Sequence, residues 1–226
     1  MVVQLNMKKH YTAGFGCQIK NLDDVLQRYL GYKTDGVFVE VGAFDCYQWS
    51  NTWGLAILGW KGLYFEPQLG MYFDCLKRLK DYPNTEAVHM ALSNWVGETD
   101  LFLGGSISTI SKEQKDIYLR GSWSSVTGLA DNKTERVSVS TLASQLAARR
   151  WPASYDLLVV DVEGSEMAVL EGNDIDKYRP TLAIVETHAD SEEEELSYKA
   201  HHVDEYFRRN SYVLVQQDTI NSIYSI

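Results

Sequence analysis

The feature that most narrows the fold is a recurring pattern. Short apolar runs rich in β-branched residues alternate with stretches of helical periodicity. VFVEV (Val37 to Val41) is followed by similar runs at GLYFEP, DLLVVDVEG and TLAIVETH. Such runs suit strands buried on both faces of a parallel sheet. Between them lie NTWGLAIL, LGMYFDCLKRLK, STLASQLAARR and SEMAVLEG, whose apolar positions repeat at helical spacing. Strand and helix in alternation predict right-handed βαβ units, with helices on both faces of the sheet. The tail differs, because SYVLVQQD and INSIYSI are two strand-like pieces joined by a short polar turn. A terminal antiparallel hairpin follows. The expected fold is therefore α/β, Rossmann-like, with seven mostly parallel strands, one of them reversed. One domain is expected over 1–226, with an extension over 1–36 and the core over 37–226. Within the extension, NLDDVLQRYLG predicts a packing helix capped by Asn21 and stopped by Gly31.

Composition excludes several classes. A formal charge of -10 without clustered Lys or Arg argues against a nucleic-acid partner, which needs basic groups to displace counterions. Lys8-Lys9, Arg149-Arg150 and the acidic run Glu192 to Glu195 read as solvated surface. No run approaches 18 apolar residues, and the opening MVVQLNMKKH lacks a leader pattern. Three cysteines (Cys17, Cys46, Cys75), an odd number without CxxC spacing, signal neither a disulfide framework nor a zinc site. A reducing, cytoplasmic setting and no membrane association are expected. The Gly- and Ser-rich stretch Gly104 to Lys133 reads as a surface excursion or a substrate loop, with Trp123 suited to stacking on a sugar ring.

In an open α/β sheet, ligands settle outside the carboxyl ends of the strands. The first strand ends in EVGAFDC, which places Glu40 and Gly42 at a tight turn, and the window holds a single Gly rather than GxGxxG. The second strand ends in Glu66, followed by Pro67. A carboxylate there can accept both hydroxyls of a ribose. Glu40, Gly42 and Glu66 together point to a nucleoside without a pyrophosphate. The DLLVVDVEG run delivers Asp161 and Glu163, and TLAIVETH delivers Glu186 and His188, each pair two residues apart. Continued strand geometry would turn each pair to one face. That chemistry is a general base acting on a hydroxyl. Asp161, Glu163 and Glu186 are also hard oxygen ligands, suited to magnesium or manganese if a metal is used.

The segments VFVEVGAFDCYQWSNT, GWKGLYFEPQ, AVHMALSNWVGETDLF, LLVVDVEGSEMAVLEG and TLAIVETH resemble the successive motifs of the FkbM-type methyltransferases, from Val37 to the C-terminus. The resemblance implies a class I fold, S-adenosylmethionine as donor, and a hydroxyl acceptor on a sugar or small metabolite. It implies that Glu40, Gly42 and Ala43 line the donor's methionine end, with Asp45, Ser50, Asn51 and Thr52 nearby. Glu66, with Pro67 beside it, would hold the ribose, and Ala91 and Leu92 would flank the adenine. The chain departs from the ExGxxxG turn at Cys46, whose side chain is expected to crowd the methionine moiety. Two other readings therefore stand beside the enzyme: a non-catalytic nucleoside-binding subunit, and a metal-dependent hydrolase using the acidic group. The partner expected is a small-molecule or glycan acceptor, and a homo-oligomer stays open.

Overall fold

The computed structural model describes residues 17–121, 128–188 and 194–226, and gives the side chains of 194–198 no description. Trp123, the opening segment with Lys8 and Lys9, and the side chains of the run Glu192 to Glu195 lie outside the described residues.

The elements follow the expected alternation. Helix α1 (Leu22–Leu30) precedes β1 (Val37–Val41), α2 (Trp53–Ile57), β2 (Lys61–Glu66), α3 (Leu69–Leu79) and β3 (Thr85–His89). Next come β4 (Ala91–Leu92), β5 (Gly97–Phe102), α4 (Lys112–Arg120), β6 (Thr134–Ser140) and α5 (Leu142–Ala148). The chain closes with β7 (Ser154–Val160), α6 (Glu166–Glu171), β8 (Arg179–Glu186), α7 (Glu194–Arg209), β9 (Val213–Gln217) and β10 (Asn221–Ser225). Seven strands form one sheet in the order β3-β2-β1-β7-β8-β10-β9. β1 runs parallel to both β2 and β7, while β10 is the reversed strand, antiparallel to β8 and β9. Strand order turns between β1 and β7, which puts the switch point beside Glu40.

Alternate residues of each strand feed two separate cores, as the period of two requires. Phe38, Tyr64, Leu157 and Ile184 pack with Leu22, Leu26, Leu55 and Cys75 on one face. Val39, Phe65, Leu158 and Val185 pack with Leu146, Leu170, Val203 and Phe207 on the other. Each such buried side chain contributes about 1.5–3 kcal/mol, so the strand ends are held by a rigid platform. Asn21 does not cap α1 as expected. Its amide is instead paired with Gln216 of β9, at 2.9 and 2.8 Å, which ties the extension to the hairpin.

The second sheet was not expected. β4 pairs parallel with β6, and β6 pairs antiparallel with β5. Its strands hide in sequence because β4 has two residues and β5 (GETDLF) is mostly polar with one well-buried side chain.

The cysteine reading needs correction, since Cys46 and Cys75 form a disulfide across a separation of 29 residues. Neither spacing nor count reveals it. The pair meets only because the β1 turn lies against α3, and Cys17 alone is free. Closing a loop of this length contributes on the order of 3 kcal/mol.

Candidate functional site

A cavity of about 600 Å³ opens at the carboxyl ends of β1, β2 and β7. That volume lies inside the range of small-molecule and cofactor pockets. Its wall includes Glu40, Gly42, Ala43, Ser50, Asn51, Glu66, Pro67, Ala91, Leu92, Asp161 and Glu163. Eleven residues from distant segments thus meet at one place. Asp45 and Thr52 do not line it.

Glu40 is buried at the end of β1 and accepts hydrogen bonds from Thr52 Oγ1 (2.6 Å) and Ser50 Oγ (3.2 Å). Burial nevertheless pushes its carboxyl up to about 7. A cationic ligand group would relieve that cost. Glu66 is anchored differently: Phe44 N–H donates to Oε2 and Gln68 N–H to Oε1, both at 2.8 Å. Burial pushes this carboxyl up to about 8. Each oxygen keeps a second acceptor site, which leaves room for two hydroxyl donors from the cavity.

Gly42 has a role other than offering N–H groups. Its N–H and that of Ala43 both donate to the Phe65 carbonyl at 3.0 Å. The reason for glycine is close approach at φ 86°: a Cβ here would lie 1.6 Å from the Asp161 carbonyl oxygen. The two halves of the site touch through that missing side chain.

Asp45 and Thr52 build the turn instead of facing the cavity. Asp45 Oδ1 accepts from Tyr47 N–H and Gln48 N–H, and its Oδ2 pairs with Arg78 of α3 at 2.8 Å. Cys46 is fully buried in the core beneath α2 and α3, and is absent from the cavity wall. The expected crowding is thereby corrected, because the disulfide draws this side chain away from the space it was expected to fill.

The carboxylates after β7 and β8 do converge, but not by strand periodicity. β7 ends at Val160 and β8 at Glu186, so Asp161, Glu163 and His188 sit in turns. Glu163 (φ 57°), Gly164 (φ 96°) and His188 (φ 47°) take left-handed backbone, which re-aims each side chain. Glu166 Oε1 fixes the first turn by accepting from Val162 N–H (3.2 Å) and Gly164 N–H (2.9 Å). One carboxylate oxygen from each of Asp161, Glu163 and Glu186 falls within 4.8 Å of the others.

These three acids form a partition. Asp161 and Glu163 face the first cavity, whereas Glu186 and His188 face a second of about 310 Å³, lined also by Gln114, Thr187 and Lys199. Ser165 borders both. Burial, reinforced by the neighbouring acids, drives Glu163 and Glu186 well above the usual carboxylate range. Burial also raises Asp161, opposed by hydrogen bonds from Glu186 and from Gln18 Nε2 at 3.3 Å. His188, with Nε2 at 3.1 Å from Glu186, is lowered by its own burial.

Sequence reasoning missed two neighbours. Tyr118 of α4 donates its hydroxyl to Glu163, and Gln18 from the extension reaches Asp161 and the amide of Asn221 in β10. The stretch Gly104 to Lys133 is thus not merely a surface excursion. It supplies Gly105, Ser106, Ser108 and Ile110 to the cavity and places α4 over the acids.

The family described as Methyltransferase FkbM domain matches residues 34–214. No curated protein matches the chain. Among solved structures, a methyltransferase FkbM from Methylobacillus flagellatus KT is similar with a TM-score of 0.54 and 11% identity. That match covers 86% of this chain and 44% of the other, so this chain spans about half the length of that relative. A Staphylococcus aureus protein provisionally assigned as a caffeoyl-CoA O-methyltransferase is similar with a TM-score of 0.52 and 10% identity, covering 91% of this chain and 82% of that one. Both likenesses establish the Rossmann-like fold.

Proposed function

The chain belongs to the FkbM methyltransferase family, a family of S-adenosylmethionine-dependent enzymes, and from that premise we propose that it methylates a hydroxyl oxygen of a sugar or other small metabolite. The carrying observation is the pair of buried, cavity-facing carboxylates Glu40 and Glu66 at the mouths of adjacent strands. Glu66 presents acceptor positions to the ribose hydroxyls, while Glu40 faces the ammonium of the methionine end. Ala91 and Leu92 give the adenine an apolar wall. When bound, the donor supplies an electrophilic methyl group. Asp161, across the same cavity, takes the acceptor's hydroxyl proton, with Gln18 and Glu186 holding its carboxylate in place. Alignment of the two ligands supplies most of the acceleration.

The non-catalytic reading rested on Cys46, which the disulfide removes from the cavity. A second reading within the enzyme class sets a magnesium or manganese ion among Asp161, Glu163 and Glu186, favoured by their mutual closeness. Those residues would hold it by oxygen, and it would lower the pKa of a bound hydroxyl. Methyl transfer that survives chelation by EDTA decides against the ion. No described helix is long and apolar enough to cross a membrane. A small-molecule or glycan acceptor, without nucleic acid, remains part of this proposal, whereas the expected reducing, cytoplasmic setting loses the cysteine argument it stood on, because a structural disulfide favours an oxidising compartment. Titration calorimetry with S-adenosylhomocysteine tests the donor site: micromolar binding supports it, and none at millimolar concentration rejects it.

A further inference from the structure

The turn that follows β1 is held in an unusual backbone. Phe44 (φ 49°), Cys46 (φ 59°) and Trp49 (φ 58°) are all left-handed, a conformation that L residues with side chains rarely adopt. Asp45 holds it from within through Tyr47 N–H and Gln48 N–H, and α3 grips it from outside at two points. One grip is the Arg78–Asp45 ion pair, and the other is the Cys46–Cys75 disulfide. Both cysteines are fully buried, Asp45 and Cys46 make the contacts to α3, and other residues of the turn line the cavity. Those lining residues include Ala43, Phe44, Gln48 and Trp49, and Phe44 N–H anchors Glu66 itself. The covalent tie at Cys46 therefore lies two residues from Phe44, whose N–H holds the carboxylate assigned to the ribose.

We infer that the Cys46–Cys75 disulfide is a positioning element for the methyl donor, so that donor affinity depends on the oxidation state of this pair. The inference rests on the donor reading of the cavity. With the bond made, Cys46 is pinned at a φ that glycine would adopt without strain. On reduction by a dithiol, two electrons and two protons convert the S–S bond to two thiols, and the dithiol closes to its own disulfide. The turn then relaxes toward ordinary backbone, which moves Phe44 and loosens its grip on Glu66.

The test is S-adenosylhomocysteine calorimetry on four samples: the air-oxidised chain, the chain reduced with dithiothreitol, and the variants Cys75→Ser and Cys46→Gly. Thiol counting on unfolded, unreduced protein should find Cys17 alone, and reduction should release all three cysteines. The reduced chain and Cys75→Ser should bind about tenfold more weakly, the scale of one strained residue released. Cys46→Gly should lose clearly less affinity than Cys75→Ser, because glycine adopts this φ without strain even though the bond is gone. Thermal midpoints should fall for both variants, since both lose the cross-link. A purely stabilising bond would leave affinity unchanged in all of them. Three free thiols before reduction, equal affinity across redox states, or equal loss in Cys46→Gly and Cys75→Ser would each overturn the inference. Absence of binding by the oxidised chain would overturn the donor reading and take this inference with it.

Discussion

The two halves of the site use buried carboxylates in opposite ways. At the mouths of β1 and β2, Glu40 and Glu66 stand apart, and hydroxyl or backbone N–H donors occupy part of each. At the mouths of β7 and β8, Asp161, Glu163 and Glu186 crowd within 4.8 Å, with Glu166 close behind. The first arrangement is a mould whose remaining acceptor positions await donors from a ligand. The second is electrostatically frustrated, stable only if protons or a cation are shared within it. On the proposed function, binding falls to the first side of the switch point and chemistry to the second.

The division can be broken from either side. Asp161→Asn should lower kcat by about 10² to 10⁴, as expected for loss of a general base, while S-adenosylhomocysteine affinity stays within about threefold. Equal losses in both would erase the distinction. Gly42→Ala should damage both halves, because its Cβ would drive into the Asp161 carbonyl. We expect a loss of about 3 kcal/mol or more in denaturant-measured stability, at the upper end of single-substitution effects. Glu66→Gln should spare the turnover of bound substrate and weaken the donor by roughly 10- to 100-fold, the worth of one or two hydrogen bonds to a charged group.

A smaller effect comes with pH. Burial holds Glu40 near 7 and Glu66 near 8 in the chain alone, whereas an ammonium or hydroxyl donor favours the ionised forms. Donor binding should therefore release protons, and affinity should rise by up to about tenfold from roughly pH 6, levelling only above about pH 9, past the Glu66 value. Stability of the chain alone runs the other way. The folded values lie above the ordinary 4.5, so the folded state binds more protons and these two groups cost stability as pH climbs from there toward 8. Calorimetry in buffers of different ionisation enthalpy checks the proton release.

Much of this architecture was legible in the residues themselves. The runs Val37–Val41 and Asp156–Val160 announce buried parallel strands because they are short, largely apolar and rich in β-branched residues, and recur between helical stretches. The positions of Glu40 and Glu66 at strand ends follow from that. What could not be read depends on contacts between distant segments. Tyr118 meets Glu163 across 45 residues, Gln18 meets Asp161 across 143, and Cys46 finds Cys75 only once α3 has packed. The left-handed turn at Glu163 likewise carries no sequence signal beyond the adjacent Gly164, so strand periodicity pointed Asp161 and Glu163 together for the wrong reason.

The most direct test is a crystal structure of the chain grown with S-adenosylhomocysteine. Expected are both ribose hydroxyls within hydrogen-bond distance of Glu66, the ammonium near Glu40, and the sulfur directed toward Asp161. A nucleoside seated elsewhere, or one whose sugar makes no contact with Glu66, would contradict the assignment of this cavity.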